Sequence, residues 1–369
     1  MTGEGLEGIV AGKTAVSSIA DRLLYRGYAI EELAPSADFE EVAYLLLRGE
    51  LPNCAELASF RERLAAAYAL PSKVVDILRE IPKTAPMMDV MRTGASVLAH
   101  FDADVNDDSP AADLRKSENL LAQLAVVLAT AMRLRTGREP KPADPKVGIA
   151  ENLLTLLHDK QPNAAAVRAL NGSLILYAEH EFNASTFTAR TVASTLADMH
   201  SCVTAAIGAL KGPLHGGANE RVLEVLEQVG SPDHAEAWIR DALKKKVRVM
   251  GFGHRVYKDG DPRTKILDPW CAELAKSTGN EAMEQTAATI ERVIRGEKGL
   301  PPNADWPSAR LYHYLNLPVE TYTPLFVVAR VTGWCAHIME QHQNNRLIRP
   351  MADYIGVAPR SFVPLERRG

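Results

Sequence analysis

Helical periodicity governs most of this chain and most strongly limits the folds open to it. From Ile30 onward, apolar side chains recur at helical spacing in one segment after another, and glycine or proline ends many of these segments. Only short extended pieces precede that point, at 8–12, 15–19 and 23–28. The pattern predicts a mainly α protein with short N-terminal strands.

Two long apolar segments predict the helices that organise the core. Ser185–Leu210 carries small residues on several sides. We expect it to form a single helix of about seven turns, deep in the core or at a subunit interface. Thr323–Glu340 predicts a second buried helix. The region between them is richer in loops, which favours a small domain at 218–322 inserted into a large domain formed by 1–217 and 323–369.

Composition and cysteine spacing exclude several classes of protein. Hydrophobic residues make up 46%, charged residues 24%, and the net charge is −4, which does not indicate a nucleic-acid binder. No apolar run of 18 residues lacks charges, so we expect no membrane span. The four cysteines are far apart without a CxxC pair, which argues against a zinc ribbon. Free thiols and the lack of a basic-then-apolar leader predict a cytoplasmic protein.

A histidine turn separates the first long apolar segment from the next amphipathic one. His215 is followed by Gly216 and Gly217, which lack a Cβ and would let a ligand or backbone approach closely. N–H groups at the start of the following helix would disfavour a charged imidazole. A neutral imidazole there can donate a hydrogen bond to an oxygen that gains negative charge. A purely structural turn is the alternative.

Three further segments place polar residues where apolar helices end. They contain His180, His254 with Arg263, and Asp305. Three histidines, a carboxylate and arginines suggest acid–base chemistry on an anionic substrate. Each residue also has a structural alternative, such as a helix cap or a surface turn. No HxH or HxxxH pair links the histidines, so we expect no metal.

The longest of these motifs resemble the citrate synthase family in its short bacterial form. The resemblance lies in residues 180–190, 210–220, 250–258 with 261–263, and 345–350, with further matches at 24–28 and 39–44. It covers nearly the whole chain. It implies a homodimer of helical subunits, each with a large and a small domain and an active site between them. It also implies condensation of acetyl-CoA with oxaloacetate and water to citrate and CoA, without a permanently bound cofactor.

The resemblance also implies a role for individual residues. His215 would stabilise the enolate of acetyl-CoA, Asp305 would remove the methyl proton, and His254 would polarise the oxaloacetate carbonyl. The residues implied in binding oxaloacetate are His180, Arg263, Arg330 and, from the partner subunit, Arg349. Those implied in binding CoA are Arg248, Gly251, Gly253, Arg255 and Lys258.

The sequence does not decide which acyl-CoA the protein uses. The related 2-methylcitrate synthases share almost all of these motifs. Trp306 and the segment 88–94 are more similar to methylcitrate synthases, whereas 254–258 is more similar to citrate synthases. One methylene gives a pocket only about 1–3 kcal/mol of discrimination, so overlap is expected. A non-catalytic scaffold with this fold is a third interpretation, which the presence of Asp305 and His215 disfavours.

Overall fold

The computed structural model describes residues 4–6, 8–20 and 22–368, and nearly all regular structure in that part of the chain is helical. The strands are β1 (Ser17–Ser18), β2 (Leu24–Tyr25) and β3 (Tyr28–Ala29). The helices are α1 (Ile30–Ser36), α2 (Phe39–Arg48), α3 (Cys54–Ala67), α4 (Ser72–Glu80), α5 (Met87–Leu98), α6 (Pro110–Arg135), α7 (Ile149–His158), α8 (Ala164–Tyr177), α9 (Ala184–Ala193), α10 (Met199–Leu210), α11 (Ala218–Val229), α12 (Pro232–Lys244), α13 (Thr264–Thr278), α14 (Glu281–Lys298), α15 (Asp305–Tyr314) and α16 (Tyr322–Gln343). The mainly α prediction is confirmed.

The three strands form one small antiparallel sheet, in the order β1-β2-β3. The predicted piece at 23–28 divides into two strands because Arg26 and Gly27 make a tight turn with φ of 48° and 92°. The piece at 8–12 is not a strand. The hydroxyl of Tyr25, in β2, donates to the backbone oxygens of Ile175 and Glu179 at 3.0 Å each. The sheet therefore supports the C-terminal end of α8.

The prediction of one helix over Ser185–Leu210 is wrong, because the chain turns back on itself between α9 and α10. Leu196 lies in this turn with a φ of 61°, and its side chain is 59% exposed. Asp198 then begins α10 as its N-cap, accepting a hydrogen bond from the backbone N–H of Ser201 at 2.9 Å. The two helices pack against each other. The small residues Ala189 and Ala193 are fully buried, as expected for the core.

Two apolar cores lie in the described part of the chain. The larger one surrounds α6, α8 and α16, and the smaller one is built from α11, α12 and α14. Helix α15 gives Trp306 and Ala309 to the smaller core but Leu311 to the larger one. The smaller core begins at Val222 and ends at Ala309. Helix α15 thus joins the two cores.

Helix α16 forms the buried axis of the larger core, close to the predicted bounds. Beyond it, residues 344–368 run mostly extended along the outside, with Met351 91% and Ile355 94% exposed. Among the described helices, none combines the length and the apolar character that crossing a membrane requires.

Candidate active site

Side chains from four distant segments meet around Tyr177, the last residue of α8. Its hydroxyl lies 3.2 Å from Oδ1 of Asp305, and its ring contacts Phe326 at 4.7 Å between centroids. The ring of Phe326 in turn lies 6.3 Å from that of His215. The structure therefore brings together residues more than 100 positions apart in sequence.

The imidazole of His215 is neutral and carries its proton on Nδ1. Nε2 accepts a hydrogen bond from the backbone N–H of Ser185 at 3.2 Å, with Oγ of the same serine 2.8 Å away. A backbone N–H can only donate, so Nε2 has no proton. Burial, and then the charge of Arg330, lowers the pKa of His215 to about 4. Nδ1–H is therefore a hydrogen-bond donor at neutral pH. The backbone N–H that contacts the imidazole therefore comes from the first turn of α9, whereas the sequence had predicted donors at the start of the following helix, α11.

Glycine at the turn after His215 is required by space. A Cβ on Gly216 would lie 2.2 Å from the backbone oxygen of Leu210, and Gly217 has a φ of 74°. Space therefore requires glycine at 216, and the left-handed backbone favours it at 217. The glycines thus fix the position of the imidazole.

His254 is also neutral but has the opposite tautomer. Its Nδ1 accepts from the backbone N–H groups of Val256 at 3.1 Å and Tyr257 at 3.2 Å. The proton consequently sits on Nε2. Burial, followed by the charge of Arg263, lowers the pKa of His254 to about 4. The ring of Tyr257 stacks on it at 4.7 Å, which holds its plane.

His180 presents a buried polar atom without a partner. The residue is 8% exposed, and its Nε2 makes no hydrogen bond to any residue that the structure describes. Its ring lies 5.3 Å from that of His254. Burial and the charges of Arg263 and Arg330 hold the pKa of His180 well below its usual range. Because it has no partner within the described residues, this ring nitrogen is available to a polar ligand.

Asp305 has the properties of a general base. It is the first residue of α15, and burial raises the pKa of its carboxyl to about 6, although the nearby Arg263 acts in the opposite direction. A carboxylate with a pKa near neutrality can take a proton from a weak acid. Its backbone N–H donates to the side chain of Asn303 at 3.1 Å, which orients the start of the helix.

Two arginines supply positive charge to the site in different ways. Arg330 is 1% exposed, and its Nε donates to the backbone oxygen of Tyr177 at 2.7 Å. Burial lowers the pKa of Arg330 to about 10, so it stays charged at neutral pH. Arg263 instead pairs with Asp261 through two bonds of 2.7 and 2.9 Å. Nε and Nη2 of Arg263 are therefore already bound to Asp261.

The loop that carries His254 also carries the residues expected to bind CoA. Asn303 holds this loop, donating from its backbone to Gly251 at 2.9 Å and from its side chain to the backbone oxygen of Gly253 at 2.8 Å. A Cβ on Gly251 would lie 2.8 Å from the side chain of Val222, so this glycine serves packing. The three basic residues of the segment are exposed: Arg248, Arg255 and Lys258.

Arg349 is not brought to this site within the chain. It lies exposed in the extended segment that follows α16. Several contributors were not singled out by the sequence: Tyr177, Ser185, Asp261 and Phe326. Ser185 and Asp261 had a local signal, because they lie within the segments 180–190 and 261–263 that carry the family resemblance. The others depend on long-range packing that periodicity does not reveal.

One further group of acidic and histidine side chains lies elsewhere in the described part of the chain. Asp108, Asp113 and His342 bring ligand-type atoms within 4.8 Å of one another. However, Nζ of Lys116 lies 3.1 Å from Asp113 and 3.8 Å from Asp108. The ammonium group of Lys116 thus already pairs with these carboxylates, and this cluster is separate from the histidine site.

Known proteins resemble this chain over its full length. A family model described as "Citrate synthase, C-terminal domain" matches residues 5–351. The chain is 46% identical to citrate synthase 2 of Bacillus subtilis, over 99% of this chain and 98% of the relative. It is 44% identical to a 2-methylcitrate synthase of Shewanella oneidensis, over 100% and 98% of the two chains.

A solved structure shares the fold. It is the citrate synthase of Thermoplasma acidophilum, crystallised as a ternary complex with carboxymethyl coenzyme A and oxaloacetate. The TM-score is 0.92 at 33% identity, and the match covers 99% of each chain.

Proposed function

The chain belongs to the citrate synthase family and is a transferase of the citrate synthase type, and from this premise we propose that it condenses acetyl-CoA with oxaloacetate and water to give citrate and CoA. One observation carries the proposal. A carboxylate with a pKa near 6, Asp305, lies in one site with two neutral imidazoles, His215 and His254, that carry their protons on opposite ring nitrogens. Coenzyme A acts as a co-substrate.

The first step is formation of the enolate of acetyl-CoA. Asp305 takes a proton from the methyl group of acetyl-CoA, and the electron pair moves toward the thioester oxygen. Nδ1–H of His215 donates a hydrogen bond to that oxygen as it gains charge. A thioester methyl group is a weak acid, so base and hydrogen-bond donor must act together. The neutral state of His215 suits this role, because its pKa is about 4.

The second step forms the carbon–carbon bond. The enolate carbon attacks the ketone carbon of oxaloacetate, and Nε2–H of His254 donates to the ketone oxygen and supplies its proton. The proton that Asp305 took from the methyl group then returns to His254, so both residues regain their starting states. The product is citryl-CoA. Water then cleaves the thioester, which releases citrate and CoA.

Positive charge around the histidines supports binding of a dicarboxylate. Arg330 has its Nε on the backbone of Tyr177, and no other hydrogen bond ties the guanidinium within the described chain. Arginine forks bind carboxylates through paired hydrogen bonds. We assign the carboxylates of oxaloacetate to Arg330, His180 and the free edge of Arg263. The partner subunit's Arg349 completes the set in a homodimer.

Both proposed domains contribute residues to the site, so each substrate would contact both of them. The large domain, 1–217 and 323–369, contributes His180, His215 and Arg330. The small domain, 218–322, contributes His254 and Asp305. The backbone of 248–253 would bind the adenine end of CoA, and the exposed Arg255 and Lys258 its phosphates. The smaller apolar core between Val222 and Ala309 supports this division.

The state of the four cysteines bears on the cellular compartment of the protein. Cys202, Cys271 and Cys335 are free and buried, and Cys54 is free and exposed. Free thiols are typical of a reducing compartment. We therefore propose a cytoplasmic location.

The competing acyl group is propionyl, as in 2-methylcitrate synthases. Trp306, which suggested this alternative, is 1% exposed and packs on Phe252 at 4.6 Å in the smaller core. The deciding experiment is steady-state kinetics with acetyl-CoA and propionyl-CoA side by side at saturating oxaloacetate. We expect the higher kcat/KM with acetyl-CoA. A higher value with propionyl-CoA would make the protein a 2-methylcitrate synthase.

A further inference from the structure

Tyr177 places its hydroxyl between two side chains of α15. Oη lies 3.2 Å from Oδ1 of Asp305 and 2.9 Å from Oγ of Ser308. These two residues are three positions apart and share one face of the helix. Tyr177 is 2% and Ser308 0% exposed. Water does not reach the two hydroxyl groups, so their protons go to protein acceptors.

The charge of Asp305 fixes the direction of these hydrogen bonds. An ionised carboxylate only accepts, so the Tyr177 hydroxyl is the donor to Oδ1. Oη can then accept the proton of Ser308 at 2.9 Å, a shorter contact than the 3.3 Å from Ser308 to the backbone oxygen of Asp305. Burial holds the pKa of Tyr177 well above its usual range, so the phenol keeps its proton. The result is a chain of donors from Ser308 through Tyr177 to Asp305.

We propose that Tyr177, supported by Ser308, is a positioning residue for the base: its hydroxyl binds Oδ1 of Asp305 and leaves Oδ2 to take the proton of the acyl-CoA. Within residues 4–6, 8–20 and 22–368, no hydrogen bond joins Oδ2 to another side chain or backbone group. A hydrogen bond to the charged form also keeps a partly buried carboxyl ionised at lower pH. The inference rests on the proposed role of Asp305 as the base.

The other charges around Asp305 come from neighbouring elements and do not depend on the tyrosine hydroxyl. Arg263 lowers and Asp261 raises the pKa of Asp305. Arg330, from α16, binds the backbone oxygen of Tyr177 rather than its side chain. The pKa values of His215 and His254 are near 4, so both are already neutral above pH 5.5. Of these three groups, Asp305 is the one whose pKa lies near 6.

The test is the pH dependence of kcat/KM for the preferred acyl-CoA at saturating oxaloacetate, from pH 5 to 9. Tyr177→Phe removes only the hydroxyl group. We expect the midpoint of its acid limb to rise by about one pH unit relative to the wild type, and activity at pH 6 to fall about fivefold. At pH 8.5 the two proteins should differ little. Ser308→Ala should shift the midpoint in the same direction by a smaller amount.

Tyr312→Phe is the matched control. Tyr312 lies on α15 and is, like Tyr177, 2% exposed. Its hydroxyl lies 2.8 Å from Oγ of Ser173 on α8, so it joins the same pair of helices, α8 and α15. It makes no hydrogen bond to Asp305, so its loss should leave the midpoint at the wild-type value. Thermal melting of each variant establishes that it folds. An unmoved midpoint in Tyr177→Phe, or an equal shift in Tyr312→Phe, would overturn the proposal.

Asp305→Asn separates this inference from the function on which it rests. Near-normal turnover in that variant would remove Asp305 as the base, and the role of Tyr177 with it. Loss of turnover in Asp305→Asn together with an unmoved midpoint in Tyr177→Phe would reject only the positioning role.

Discussion

At the scale of single residues, the site depends on which proton each group holds near neutral pH. Burial depresses the pKa of the two histidines and raises that of the carboxyl, so all three shifts favour the neutral form. His215 and His254 then act as hydrogen-bond donors without carrying charge. Asp305 remains ionised above about pH 6 and can act as the base.

The first prediction concerns Asp305 and pH. A base works only when deprotonated, and the pKa of this carboxyl is raised to about 6 from an ordinary value near 4. Activity should therefore be full above that pKa and fall tenfold per pH unit below it. Asp305→Asn should bind oxaloacetate normally but lose about two to four orders of magnitude in kcat. Oxaloacetate titration and stopped-flow turnover would measure both, and near-normal turnover would contradict the assignment.

The sequence singled out candidate residues and predicted a neutral imidazole at His215, but it did not predict which ring nitrogen of each histidine carries the proton. His215, His254 and Asp305 stood out because motifs and glycines surround them. Their tautomers depend on backbone donors from Ser185, Val256 and Tyr257. Ser185 lies 30 residues before its histidine, and only the folded chain brings the two together. Tyr177 and Phe326 lacked any local signal, since a buried aromatic at helical spacing usually belongs to the core.

At the scale of elements, the close approach of α16 to the end of α8 holds the arginine and histidine side of the site. A Cβ on Gly333 would lie 2.1 Å from Oε2 of Glu179 and 2.5 Å from the backbone oxygen of Ala178. Glu179 is fully buried and accepts hydrogen bonds from Ser17 and His337 at 2.9 Å each. It also directly precedes His180. The contact therefore links α16, the small sheet and His180.

The second prediction tests this contact by the stability of the protein. Gly333→Ala should lower the free energy of unfolding by about 1–3 kcal/mol, because backbone and a buried carboxylate must move. Gly296→Ala is the matched control, since its Cβ would meet nothing within 4 Å on the exposed side of α14. That change should raise stability by about 0.5–1 kcal/mol, as alanine does in an open helix position. Urea unfolding would measure both, and equal effects would contradict the packing argument.

The helical periodicity of the sequence predicted that helices occur more reliably than it predicted where each helix begins and ends. Helix α16 came out close to its expected bounds because its apolar pattern is long and ends in polar residues. The break between α9 and α10 was missed because neither glycine nor proline marks it. Leu196 takes a positive φ that leucine rarely adopts. Tertiary packing of the two helices against each other stabilises that turn, and local sequence does not record it.

At the scale of the whole molecule, the isolated chain leaves a large apolar segment uncovered. Residues 344–368 lie exposed and include Met351, Ile355 and Phe362, the last 81% exposed. Exposed apolar side chains grouped in one segment are typical of a subunit interface. Arg349 belongs to the same segment, which supports its proposed action in the partner's site.

The third prediction concerns that shared site. Arg349→Ala and His215→Ala should each be inactive as homodimers. A mixed dimer would contain one site with both residues intact, so mixing the two chains under exchange conditions should restore part of the activity. Differently tagged chains allow the mixed dimer to be isolated and assayed. Absence of activity in a verified mixed dimer would show that Arg349 acts within its own chain.

The last prediction concerns how the proposed domains cooperate. Oxaloacetate would contact His180 and Arg330 on one side of the site and His254 and Arg263 on the other, so its binding favours a closed arrangement. A ligand shifts such an equilibrium only through contacts that it makes better in the favoured state. Charged hydrogen bonds that span both sides are contacts of this kind. Closure would also move the 248–258 loop toward its position for CoA.

Oxaloacetate should therefore tighten the binding of an unreactive acetyl-CoA analogue, and the analogue should tighten oxaloacetate by the same factor, because coupling between two sites is reciprocal. Typical coupling corresponds to about 5–150-fold in affinity. Calorimetric titrations in both orders measure the two factors independently. Arg330→Lys offers a comparison, since lysine keeps the charge but loses the paired hydrogen bonds, and it should reduce the coupling. Equal analogue affinity with and without saturating oxaloacetate would reject closure while leaving the acid–base assignments intact.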